Sequence, residues 1–98
     1  MTIRIVCINK DNGNHDNPHE AISRFGYVSS SNPSIAPRRF VYRSVLVKWL
    51  NDGNQAYVTD GRLVAYCYVR INKYGTAFVQ TKSDDDWNNN LLQLEECR

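Results

Sequence analysis

The sequence predicts an α+β fold: a small twisted antiparallel sheet of about five strands with one short helix after the first strand. Three observations carry this expectation. Residues 2–9 read as a strand, residues 17–26 hold the start and stop signals of a helix, and residues 40–81 form strand-like runs separated by turn formers.

In the first strand Ile3, Ile5 and Cys7 share one face, and Val6 and Ile8 share the other. Apolar on both sides, it belongs inside the sheet rather than at an edge. Residues 11–17 are a polar loop dense in turn formers. Asn17 or Asp16 then stands as an N-cap, Pro18 suits the first helical turn, and Glu20 falls where a capping box needs it. Ala21, Ile22 and Phe25 give the helix an apolar face, and Gly26 stops it. Residues 29–37, with two prolines and four serines, read as a loop.

Residues 40–50 alternate with a period of two, placing Val41, Arg43, Val45, Val47 and Trp49 on one side of a long, twisted or bulged strand. Asn51, Asp52, Gly53 and Asn54 read as a hairpin turn into a returning strand at 56–58. Asp60 and Gly61 turn the chain into a strand at 63–71, and residues 72–75 turn it into a last one at 76–81. Asp84 or Asp86 is expected to cap the turn into an apolar plug of Leu91, Leu92 and Leu94, with Thr81 hydrogen-bonding across it. The expected core is Ile5, Ile8, Ile22, Phe25, Val45, Val47, Val58, Val69, Ile71, Phe78, Leu91 and Leu94.

The length suits a single domain over residues 1–98. Hydrophobic residues at 42% and charged residues at 22% indicate a folded chain rather than a disordered one. No apolar run approaches the roughly 20 residues that span a bilayer, and residues 1–8 lack the pattern of a signal peptide. Cytoplasmic residence and no membrane partner are the resulting expectations. Cys7, Cys67 and Cys97 are too few and too odd in number for a disulfide scaffold. Cys7 and Cys67 read as small buried hydrophobes, and Cys97 as an exposed thiol prone to intermolecular bridging.

Charge is uneven. Residues 38–82 carry eight basic side chains against two acidic ones, a net of +6, whereas residues 83–98 carry five acids and one Arg, a net of −4. The two segments are expected to attract each other within the fold before they attract partners.

Chemistry-bearing constellations are sparse. His15 and His19 are weak metal-ligand candidates, four apart with Cys7 upstream, but only His19 would be helical and no second ligand pair accompanies them. No short motif joins a nucleophile to a base, and Asp84, Asp85 and Asp86 read as a cap and a solvated turn. No catalytic residue and no cofactor are expected. Exposed tyrosine and arginine remain: Tyr66, Tyr68 and Arg70 share one face of a strand, and Arg38, Arg39 and Arg43 precede it in the basic segment. Arg43 falls on the side of Val41, Val45 and Val47, so the basic residues do not make one clean stripe.

Residues 74–97 carry a more specific pattern. Tyr74, Thr81, Asp84, the run Asn90, Leu91, Leu92 and Leu94, and Cys97 resemble the ending of a family of short bacterial and phage-borne domains of unknown function. His19, Ile22, Asp60 and Gly61 extend the likeness over most of the chain, while Glu95 stands where that pattern usually has Pro. The resemblance implies a small α+β domain in bacteria, phages or mobile elements, with accessory or host-interaction roles and no assigned reaction. The leading expectation is therefore a non-enzymatic small binding module acting on another protein, a homodimer included. The alternative is a nucleic-acid-binding module using the basic segment 38–73.

Overall fold

The computed structural model describes residues 2–11, 18–29, 38–59, 64–81, 91 and 94–97. Among them the chain runs β1 (Thr2–Lys10), a 3-10 turn (Pro18–Ala21), β2 (Ile22–Val28), β3 (Arg39–Tyr42), α1 (Arg43–Asn51), β4 (Gln55–Thr59), β5 (Val64–Ile71), β6 (Ala77–Thr81) and β7 (Glu95–Glu96). The strands form a mixed seven-stranded sheet in the order β3-β2-β1-β4-β5-β6, with β7 also paired to β1. This corrects the expected fold. The sheet is not an antiparallel one of about five strands, and its one α-helix follows the third strand rather than the first.

Both errors have a local cause. Residues 43–51, read as strand, carry Leu46, Trp49 and Leu50 at helical spacing, and these pack on the core while Val45 is left exposed. Residues 52–54, read as a hairpin turn, instead end the helix. Asp52 N–H donates to the Lys48 carbonyl at 3.0 Å and Gly53 N–H to the Leu50 carbonyl at 3.1 Å. Gly53 sits at φ +98°, and Asn54 Nδ2 donates to the Trp49 carbonyl at 2.9 Å. A helix is what the topology needs here. β3 and β4 both run parallel to β1, and parallel strands cannot be joined by a hairpin.

Residues 17–26 fail in the opposite direction. Pro18 does open a helical turn, but it is a single 3-10 turn, and from Ile22 onward the chain is strand β2. Gly26, read as a helix stop, lies inside that strand. Strand β1 is central, as its apolar faces suggest, with β2 along one edge and β4 along part of the other. A register shift between Ile5 and Cys7 rephases it. Ile8 thereby pairs beside Phe25 and joins Ile3 and Ile5 in the core, while Cys7 turns to the opposite face, beside Gly26.

The turn at 72–75 forms as expected. Asn72 Oδ1 accepts from the N–H groups of Tyr74 and Thr76, both at 2.9 Å, and Gly75 takes φ +84°. Ile5, Ile8, Ile22, Phe25, Val58, Phe78 and Leu91 are buried as expected. Val45 and Ile71 are instead exposed, and Val47, Val69 and Leu94 only partly buried. Thr81 is fully buried, and its Oγ1 accepts the Leu91 N–H at 3.2 Å, which ties the buried Leu91 side chain to the end of β6. Asp84, Asp86 and Leu92 lie outside the described residues. Thr81→Val keeps the shape but leaves the Leu91 N–H without its acceptor, so it is expected to cost about 1–3 kcal/mol. Chemical denaturation checks this, and a midpoint unchanged from the parent would show that the bond contributes nothing.

The cysteines depart furthest from expectation. Cys7 and Cys97 form a buried disulfide with Cα atoms 5.0 Å apart, closing a sequence separation of 90. Cys97 is thus neither exposed nor free, and Cys7 is not a thiol. Strand β7 lies parallel to β1 on the edge that β4 leaves open, at Cys7 and Ile8. Cys97 N–H donates to the Ile8 carbonyl at 3.0 Å, and Asn9 Nδ2 donates to the Cys97 carbonyl at 3.1 Å. Sparse cysteines fail to announce a bridge because only the sheet brings these two positions together.

Cys67 remains free and buried, and burial pushes its thiol from 9.0 up to about 12. Between those values the unfolded chain has lost a proton that the folded chain keeps, so rising pH favours unfolding. Cys67→Ala removes this contribution and is expected to flatten the fall in stability between about pH 9 and 11. Denaturation midpoints across that range decide it: parallel curves for parent and variant would mean that the thiol titrates alike in both states.

Candidate functional site

The sheet has two unlike faces. Helix α1 and the core cover one, with Ala56, Val58, Ala65 and Cys67 buried against them. On the other face of β5, Val64, Tyr66, Tyr68 and Arg70 alternate with those buried residues and are exposed. Tyr66 is 53% exposed, Tyr68 39% and Val64 50%. The expected grouping of Tyr66, Tyr68 and Arg70 on one face is what the structure has.

Register extends this row across neighbouring strands. Tyr57 pairs directly with Tyr66, their rings tilted at 55° with centroids 6.2 Å apart. Arg4 on β1 pairs in turn with Tyr57. On the other side Tyr68 lies opposite Gln80, whose Oε1 accepts from Arg70 Nη1 at 3.4 Å. Arg4 had no place in the sequence reading, which set Tyr57 only among the aromatics interleaved with the basic segment 38–73. Tyr57 could have been found from its parity with the buried Ala56 and Val58, but Arg4 needed the parallel β1–β4 register.

Among the described residues, those that register places on this patch include arginine, tyrosine, glutamine and threonine, but no carboxylate. The described part of the patch is aromatic, hydrogen-bonding and positive. Its tyrosine and arginine side chains are of the kinds enriched at recognition surfaces.

Arg38, Arg39 and Arg43 stand elsewhere. Arg38 precedes β3, Arg39 opens it and Arg43 opens α1, at the far end of the sheet order from β5. Arg38 Nη2 is 3.8 Å from Glu95 Oε1, and Arg43 Nη1 donates to the Glu20 carbonyl at 2.6 Å. Arg39 is exposed at the mouth of a cleft between α1 and the sheet. The six candidate residues thus divide into a β5 row, two structural arginines and one arginine at a cleft. They are not one site.

His15 lies outside the described residues, and His19 falls in the 3-10 turn with its side chain outside them. Among the described residues no three His, Cys, Asp or Glu side chains gather as metal ligands, and Cys7 and Cys97 are bonded to each other. Among the same residues no helix is long and apolar enough to cross a membrane.

No curated protein matches this chain. No solved structure matches it either. A family model does, over residues 4–95, a span that holds the tyrosine row and reaches Glu95 at the start of β7. The chain belongs to the family described as Protein of unknown function (DUF3892).

Proposed function

We propose that this chain is a non-enzymatic binding module whose β4–β5 face docks on another protein. The observation that carries the reading is the exposed Val64, Tyr66, Tyr68 and Arg70 row, flanked in register by Tyr57 and Arg4. Tyrosine and arginine supply large contact area with hydrogen-bonding ends, the composition favoured at the centres of interfaces. The absence of carboxylates from the described part of the patch defines the partner: an apolar surface bearing Asp or Glu to meet Arg4 and Arg70.

The same proposal gives the chain an accessory role in bacteria, their phages or mobile elements, supported by the resemblance of residues 74–97. It is a cytoplasmic role only with the Cys7–Cys97 bridge open, because an intact buried disulfide suits an oxidising compartment.

The test is affinity capture from host lysate by the parent, by Tyr66→Ala/Tyr68→Ala and by Arg43→Gln, each with and without nuclease. A discrete protein that survives nuclease and moderate salt, and is lost only with the tyrosine variant, supports the reading. Loss of about 2 kcal/mol or more in affinity is expected from that variant once the partner is purified. Recovery of nucleic acid alone, lost on nuclease treatment and steeply salt-dependent, would replace the proposal with the nucleic-acid alternative. A second copy of this chain as the captured protein would make the face a homodimer contact, checked by sedimentation of the purified chain.

A further inference from the structure

Helix α1 rests on the core through Leu46 and, less completely, Leu50, but its neighbouring flank is not closed. Between that flank and strands β1–β3 lies a cleft of about 360 Å³. Ile3 and Val41 line it from the sheet, and Val45 and Trp49, one helical turn apart, line it from the helix. Val45 is 56% exposed there, although a chain this small has few apolar side chains to leave uncovered. The volume falls in the range of roughly 300–1,000 Å³ in which small-molecule sites occur.

Among the described residues, polar side chains line the cleft at Tyr27, Ser29 and Arg39. The contrast between Arg39 and its neighbour Arg38 is informative. Arg38 reaches Glu95 on β7. Arg39 is exposed at the cleft, and among the described residues no carboxylate is within ion-pair distance of it. An apolar slot with one cationic, forked donor at its mouth is complementary to a molecule with an apolar body and a single anionic head.

We propose that this cleft binds a small amphiphilic carboxylate, with its apolar body between Val41, Val45 and Trp49 and its carboxylate on Arg39. The site is separate from the tyrosine face. It lies on the opposite, helix-covered side of the sheet, so it stands or falls independently of the protein-docking reading.

Decanoate and decyltrimethylammonium below their micelle concentrations, and decanol below its solubility limit, serve as probes of one chain length and three head charges. The 98-residue chain is labelled with ¹⁵N and titrated, reading the Trp49 indole and the amides of Ile3, Val41 and Val45. Saturable shifts confined to these groups are expected with decanoate, and weaker ones with the other two probes. Arg39→Gln is expected to weaken decanoate about tenfold and to leave decanol unchanged. Val45→Glu, at a position already exposed, is expected to abolish decanoate binding with little change in melting temperature. Equal affinity for the three head groups, an unaffected Arg39→Gln, or shifts centred on Tyr57, Tyr66 and Tyr68 would each overturn the proposal.

Discussion

Reducing the Cys7–Cys97 disulfide is expected to lower stability by about 3 kcal/mol, a fall of roughly 12–24 °C in melting temperature. The bridge closes a sequence separation of 90, and in the chain-entropy model a loop of that length restricts the unfolded ensemble strongly. The native state also loses a constraint. Strand β7 has two residues, and its hold on β1 beyond the bridge rests on short-range pairing and the Asn9–Cys97 bond. Arg24 supports that corner, donating from Nε to Asn9 Oδ1 at 2.8 Å while its guanidinium lies 4.7 Å from the centre of the Phe40 ring. Melts of the parent with and without reductant, beside Cys97→Ser, measure the effect. Thiol titration of the denatured chain should give one group before reduction and three after, Cys67 being the free one. A fully reduced parent that melts with the oxidised one would remove the bridge from any account of stability.

Gly26→Ala is expected to cost about 2–3 kcal/mol in the oxidised protein and much less once the bridge is gone. Gly26 pairs with Cys7 across β1–β2, and a Cβ there would run into Cys7 Sγ and come within 3.0 Å of Cys97 Sγ. A free cysteine side chain would rotate away, whereas a sulfur bonded at its far end cannot. Phe40 closes the remaining side, 3.4 Å from the same Cβ position. The glycine is therefore required by close approach rather than by backbone conformation, since Gly53 and Gly75 are the described glycines at positive φ. A double-mutant cycle of Gly26→Ala with Cys97→Ser isolates the coupling. Additive costs would mean that the glycine serves the strand and not the disulfide.

The candidate site was legible in part. Parity along residues 64–71 suffices to put Tyr66, Tyr68 and Arg70 on one face, because a strand alternates whatever its neighbours are. Adding Arg38, Arg39 and Arg43 relied on closeness in sequence. Helix α1 and the β3–β4 crossover intervene, so those arginines end at the far edge of the sheet. Arg4, remote in sequence from Tyr57, reaches the patch only because β1 and β4 pair in parallel.

By itself the sequence determined the central first strand, the strands expected at 63–71 and 76–81 and described at Val64–Ile71 and Ala77–Thr81, and the Asn72–Gly75 turn. It also implied a hydrogen bond of Thr81 across to the plug, and only the structure names Leu91 as its partner. Each of these depends on alternation, turn chemistry or a nearby hydrogen bond. Tertiary structure decided the rest. Residues 43–51 satisfy a period of two nearly as well as the helical spacing of Leu46, Trp49 and Leu50, and a parallel crossover settles the choice. Gly26 reads as a helix stop until a disulfide is packed against it. Cys7 and Cys97 bond because β7 fills the edge of β1 that β4 leaves open, a pairing that no local pattern in either segment encodes.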